Sequence, residues 1–309
     1  MGLINPQTKK KMKRFLPLYI LALPGLLYLL INNYLPMLGV VIAFKNVNYA
    51  VGILKSPWVG FENFKYLFST RDAFIITRNT FLYNSEFIVV NTAAAIAIAL
   101  MLNEIQSKIA SRIHQTVVLL PYLISTVIVG YLVYAFLSPD NGILNKTILP
   151  MFNITPVSWY TSPGYWPFIL TIVNLWKNVG FYCVIYLASI VGINKELYES
   201  ASLDGATKWK QIRFITLPLI KPVIVLMVLL SIGRIFYSDF GLFYQVPLNA
   251  GALYSTTNVI DTYVYRSLLQ LGDIGMSSAA GFYQSIVGFL LVLFSNMIIR
   301  KTSPQNAIL

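Results

Sequence analysis

The chain has 309 residues, of which 57% are hydrophobic and only 11% charged, with a mean hydropathy of +0.67. That balance excludes a water-soluble core of this length and asks for a membrane as solvent. The net charge of +12 is dispersed and lacks a stacking surface, so it argues against a nucleic-acid partner, and a single cysteine excludes a disulfide framework.

A membrane span needs about 20 predominantly apolar residues. Six segments qualify, at residues 15–34, 81–102, 116–137, 167–191, 223–246 and 280–299. The first follows Lys9, Lys10, Lys11, Lys13 and Arg14, as a secretory signal would, but no small-residue cleavage site follows it and five more spans do. It is therefore expected to be retained, with residues 1–14 as a tail near the inner surface. After it, residues 58–68 form an amphipathic, aromatic stretch suited to the outer interface. Residues 140–165 form an outer loop in which Pro150, Pro156 and Pro163 discourage long helices, and residues 249–278 form another. Asn145 and Asn153 each begin a glycosylation-type triplet in the first of these loops and are read as accidental.

Between the fourth and fifth spans the chain turns polar, at Glu199-Ser200-Ala201-Ser202-Leu203-Asp204-Gly205, with Ile215-Thr216-Leu217-Pro218 ten residues on. Asn194 is placed to cap a helix over residues 195–204 and Gly205 to stop it. Thr207 is placed to cap a second short helix, limited by Pro218 and Pro222. The small side chains of Ser200, Ala201 and Ser202 let another protein approach the backbone, and Glu199 offers that protein a charge. The spacing of Glu199, Ala201, Gly205, Ile215, Leu217 and Pro218 resembles the cytoplasmic coupling loop of permease subunits in bacterial carbohydrate ABC importers of the type I, maltose-permease-like group. Ser200 stands where that group has a second alanine. Residues 58–68 and 279–284 resemble the same group, so the likeness covers nearly the whole chain, and within the group it is greatest to a branch for complex or uronic-acid-containing oligosaccharides.

The resemblance implies an all-α membrane protein of six transmembrane helices with a cytoplasmic helix-turn-helix coupling loop at residues 194–221. The permease domain would span residues 15–301, with a cytoplasmic C-terminal tail at 302–309. It implies import of an oligosaccharide by alternating access, and as partners a second, related permease in a heterodimer, two ABC ATPase subunits, an extracellular solute-binding protein and membrane lipid. ATP and Mg would sit on the ATPases, because this chain has no Gly-x-x-x-x-Gly-Lys-Ser/Thr phosphate loop and carries no cofactor of its own. Placement of Lys and Arg agrees on orientation independently. With both termini in the cytoplasm of a bacterial cell, inner segments hold about twice as many basic residues as outer ones. The remaining positive charge is read as attraction to anionic lipid.

No catalytic residue and no metal site is expected. Cys183 lies inside a span, and the single histidine, His114, lies at a span's end. Charges inside spans are costly and usually functional, and here they are Glu86, Lys177, Arg234 and Asp239. Carried over from the family, substrate contacts fall on Trp176, Lys177, Asn178, Phe181, Ser231 and Arg234, with Tyr283 and Gln284 as cavity-lining additions. Aromatic faces, amides and hydroxyls suit a sugar, and a cation would select a carboxylate. The alternative for Lys177 and Arg234 is pairing with Glu86 or Asp239 to hold helices together. Tyr237, Phe240, Phe243 and Tyr244 form either an aromatic mouth or an interfacial belt. The rival functions are a permease for a non-sugar solute such as a peptide, a secondary transporter using Glu86 or Asp239, and a membrane-embedded enzyme. Only the first accommodates the coupling-loop spacing.

Overall fold

The computed structural model describes residues 6–302, and among them the regular elements are helical apart from one isolated antiparallel bridge between Lys45 and Trp58. Among the described residues, five helices are long and apolar enough to cross a membrane: Phe15–Phe44, Arg71–Asn103, Pro163–Val191, Lys208–Ile232 and Ile274–Met297. A sixth span exists only if the Lys108–Leu123 and Thr126–Leu137 helices, bent by 95° from each other, are counted as one. The first helix starts at Pro6, inside the expected tail. The C-terminal tail from residue 303 lies outside the described residues.

Three expectations need correction. The third span, expected over 116–137, is broken: Ile124 and Ser125 are extended, with ψ of 132° and 138°. Two carbonyls at the break, of Tyr122 and Ile124, receive the Lys177 ammonium, which lets a bend persist where backbone groups would otherwise lack partners. The fifth span, expected over 223–246, ends at Ile232. Gly233 caps it, the chain turns, and Asp239 starts a separate helix, Phe240–Gln245, by accepting from the Leu242 N–H at 3.1 Å. Finally, the second arm of the polar loop is no isolated short helix. Lys208–Gln211 runs through a widened turn at Ile212–Thr216 directly into Leu217–Ile232. Pro218 has no N–H to give, and the wide turn just before it, closed by the Leu217 N–H on the Ile212 carbonyl, lets the helix continue.

Helices in lipid gain little from hydrophobicity against one another and associate through close packing. The Arg71–Asn103 and Trp166–Val191 helices share the most extensive contact. Ala95, Ala99, Cys183 and Tyr186 are buried in one cluster on this axis, while Tyr83, Phe87, Trp166 and Phe243 are buried in another. Gly180 presses against the Lys108–Leu123 helix so closely that a Cβ there would overlap the Val118 carbonyl. A third cluster joins Leu67, Ile76, Phe236, Ile260 and Ala280. It draws in the aromatic stretch after the first span, whose Phe64 and Phe68 rings meet Phe282 and Tyr283 of the last helix. That stretch therefore packs on protein as well as suiting an interface. The Phe15–Phe44 helix differs: no residue of its most apolar window is buried within the chain.

In the loop at 140–165 the expected short pieces are present, and Asn145 is buried there. Its side chain binds the carbonyls of Pro139 and Val157, the Val157 N–H and the Trp159 indole N–H. The residue therefore closes the loop.

Candidate functional site

Between the two buried clusters, at the middle of the Arg71–Asn103 and Trp166–Val191 helices, lies a cavity of about 490 Å³. Its wall carries four amides, Asn84, Asn91, Asn174 and Asn178, and four rings, Phe87, Phe181, Tyr182 and Tyr237. Thr92, Ser231 and Ser238 add hydroxyls, and Arg234 and Asp239 add charge. Asparagines this deep in apolar helices need partners. Asn91 Nδ2 donates to Asn174 Oδ1 at 2.7 Å, Asn178 Nδ2 donates to the Asn174 carbonyl at 3.0 Å, and Asn84 Nδ2 donates to the Ile235 carbonyl at 2.8 Å. Asn91 Oδ1 is buried with no hydrogen-bond partner among the described residues. A buried acceptor without a partner costs about 1–3 kcal/mol; it is the amides, hydroxyls and charges on the wall that suit the cavity to a polar occupant.

Of the predicted substrate residues, Asn178, Phe181, Ser231 and Arg234 line this cavity. Arg234 sits in the turn after Ile232, exposed to the cavity, and neither it nor Lys177 forms an ion pair: among the described residues the one pair is Lys208 with Glu104. Pairing with Glu86 or Asp239 is thus corrected. Glu86 accepts from Thr171 at 2.9 Å, outside the cavity wall. The other four predicted residues lie elsewhere. Lys177 is 8% exposed and donates to the Ile124 carbonyl at 2.7 Å and the Tyr122 carbonyl at 3.4 Å. Trp176 is exposed but not on the wall, because at 3.6 residues per turn it lies on the opposite side of the helix from Asn174, Asn178 and Phe181. Gln284 is buried and donates to the Phe236 carbonyl at 2.6 Å and to Asp261 Oδ2 at 3.1 Å. Tyr283 shares a hydrogen bond with Thr77. Burial pushes the Asp261 carboxyl above its usual range, against the pull of the Ser238 N–H and the Gln284 amide.

The aromatic group divides. Tyr237 lines the cavity, Phe243 is core, and Phe240 and Tyr244 stack on each other with Tyr265 beside them. Sequence reasoning missed Asn84, Asn91 and Asn174. Their signal was available: amides in the middle of apolar spans.

The polar loop is built as its residues require. The Asn194 side chain accepts from the Glu196 N–H and starts the Lys195–Leu203 helix. At the other end the Ala206 N–H reaches the Ala201 carbonyl at 2.8 Å and the Gly205 N–H the Ser202 carbonyl at 3.1 Å, with Gly205 at φ +75°. This is a Schellman closure, whose left-handed residue favours glycine. Thr207 occupies the next cap position but makes no capping hydrogen bond. Instead Gln211 ties the arms together, donating to Ser202 Oγ at 2.8 Å, and Tyr198 meets Thr216 at 2.9 Å. Glu199, Ser200, Gly205 and Pro218 are exposed, Ala201 and Ile215 are half-buried, and Leu217 packs against the core. Around them stand Leu203, Trp209 and Phe214, each more than two-thirds exposed. These side chains leave an apolar surface beside the polar loop that nothing in the described residues covers.

Comparison with known proteins adds three findings. Residues 91–304 match the family described as the binding-protein-dependent transport system inner membrane component. Among curated proteins, Protein LplB of Bacillus subtilis (strain 168) is 35% identical over 96% of this chain and 92% of its own length. The polygalacturonan/rhamnogalacturonan transport system permease protein YteP of the same organism is 34% identical over 96% and 94%. Among solved structures, a chain of a bacterial ABC transporter involved in the import of the acidic polysaccharide alginate superposes with a TM-score of 0.87 at 36% identity, covering 96% of this chain and 99% of that one. A second such structure holds the alginate transporter in complex with its alginate pentasaccharide-bound periplasmic protein.

Proposed function

Because this chain belongs to the family of binding-protein-dependent transport system inner membrane components, it is a multi-pass permease subunit and not an enzyme, and we propose that it imports an acidic, uronic-acid-containing oligosaccharide. The observation that carries the cargo is the cavity itself. It holds an unpaired Arg234 among amides, hydroxyls and rings. Rings cover the C–H faces of sugars, amides and hydroxyls take their oxygens, and a guanidinium takes a carboxylate in bidentate fashion. The relatives that import polygalacturonan and alginate support the same reading.

In the proposed mechanism an external binding protein delivers the saccharide to a cavity completed by a second, related permease. ATP and Mg close a pair of cytoplasmic ATPases, and the Lys195–Leu203 helix, seated in a groove on one of them, passes the motion to the spans. Glu199 pairs with a basic group there, and Leu203, Trp209 and Phe214 supply the apolar contact. Both termini then lie in the cytoplasm. Family membership leaves no place for the secondary-transporter and membrane-enzyme readings.

The test is ATPase stimulation of the assembled complex by neutral and uronic-acid oligosaccharides, each supplied with the binding protein. Acidic saccharides should stimulate the wild type. In Arg234→Ala the half-maximal concentration for them should rise about 10- to 100-fold, the worth of one charge-assisted hydrogen-bond set. Stimulation by neutral sugars alone, unchanged in the variant, would remove the carboxylate reading.

A further inference from the structure

A second, larger pocket of about 910 Å³ lies where the Arg71–Asn103 and Lys108–Leu123 helices meet the end of the Trp166–Val191 helix, beside the start of the polar loop. We propose that it holds the phosphate headgroup and one acyl chain of an anionic phospholipid. This goes beyond the transport reading and does not depend on the cargo.

Three cations line it: Lys108, Arg112 and Lys195. None of their side-chain nitrogens has a hydrogen bond or ion pair among the described residues, and the lining holds no carboxylate. The nearby acids are engaged elsewhere. Glu104 pairs with Lys208 at 3.1 Å, and Glu196 accepts from Asn194 Nδ2 at 3.0 Å. Ser111 accepts from Gln115 Nε2 at 3.0 Å and keeps its own proton for a further acceptor. These groups together make an anion-binding rim.

Beneath the rim the wall turns apolar, with Val184, Leu187, Ala188 and Val191 all from one spanning helix. Position decides between occupants. Lys195 stands four residues past the end of that helix, and Lys108 opens the apolar Lys108–Leu123 helix, so the cations sit at the boundary between apolar and polar surroundings. A soluble anion would use the rim and leave the apolar wall bare. A protein partner has its own surface at Leu203, Trp209 and Phe214, none of which lines this pocket. Basic pockets between spanning helices are the geometry that anionic lipid headgroups use.

The experiment is a native mass-spectrometric titration of the purified assembled complex in neutral detergent. The probes are dioctanoyl phosphatidylglycerol, dioctanoyl phosphatidylcholine and inorganic phosphate. Phosphatidylglycerol should bind, phosphatidylcholine at least tenfold more weakly, and phosphate not measurably. The Lys108→Gln, Arg112→Gln double variant should weaken phosphatidylglycerol by about 10- to 30-fold, at roughly one surface cation's worth each. Ala188→Trp, at an exposed wall position that tolerates bulk, should block it while both cations remain. Equal binding of the two lipids, or retention of phosphatidylglycerol in both variants, would overturn the proposal. So would binding of phosphate as tight as the lipid. Protection of a Ser111→Cys thiol from an impermeant reagent by the ATPase subunits, and not by phosphatidylglycerol, would give the pocket to a protein partner instead.

Discussion

The Lys177→Met substitution isolates what the buried ammonium does. In the folded chain it holds the Ile124 carbonyl at 2.7 Å and reaches the Tyr122 carbonyl at 3.4 Å. The first is a full charge-assisted hydrogen bond, worth about 1.5–3 kcal/mol, and the second lies at the limit of bonding geometry. Global stability is a poor readout, because removing a buried cation also relieves a desolvation cost of several kcal/mol. Local opening of the break is a clean one. When the break opens in the wild type, the ammonium loses its partners, and in the methionine variant there is nothing to lose. Opening should therefore become easier by about 1.5–3 kcal/mol, or 10- to 100-fold. The assay is hydrogen–deuterium exchange at the Ile124 and Val129 amides, which bond to the Pro121 and Ser125 carbonyls on either side of the break. The preference for acidic over neutral saccharides should not change. Exchange within about threefold of wild type, or a lost preference for acidic cargo, would refute the assignment of Lys177 to the bend.

Glu199→Lys should abolish uptake while the permease stays in the membrane and assembled, read by transport beside co-purification of the ATPases. Unchanged uptake together with unchanged assembly would end the coupling assignment. Gly180→Ala should cost more than about 2 kcal/mol, because the added methyl meets backbone at Val118 that cannot rotate away. A thermal unfolding midpoint equal to wild type would show that the two helices are not held so close. Gln284→Leu strips partners from the Phe236 carbonyl and from Asp261, a loss of about 1–3 kcal/mol per buried group. It should lower the unfolding midpoint and leave the half-maximal saccharide concentration alone. The reverse outcome would return Gln284 to the substrate set.

The legible features were local ones. Asn194 and Gly205 declare a helix start and a left-handed stop through their own side-chain chemistry, and the structure places both as read. The break at Ile124 was not legible, because a window of average hydropathy passes over two extended residues. The partner that stabilises them, Lys177, is also more than fifty residues away in sequence. The end of the fifth span was misjudged for a related reason. Arg234 and Asp239 read in the sequence as functional charges inside a helix, but with Gly233 and Ser238 they mark its end. Half of the candidate substrate set lines the cavity, because Asn178 and Phe181 share a helix face and Ser231 and Arg234 share a helix end. Lys177 and Gln284 failed the same inference because a buried polar side chain is first claimed by nearby backbone carbonyls.

The widened turn at Ile212–Thr216 has a mechanical consequence. By absorbing Pro218 it leaves Lys208–Ile232 as one rod of 25 residues, about 37 Å long at 1.5 Å per residue. Ser231 rides on one end of that rod and Lys208 and Trp209 on the other. A push that tilts the rod by about 5° about either end moves the opposite end by roughly 3 Å, comparable to the length of a hydrogen bond. The helix runs on between those ends, through the widened turn and past Pro222. The turn at Gly205 lies outside the rod and is tied to it by the bond from Gln211 to Ser202, so a displacement of the loop is passed to the Lys208 end of the rod.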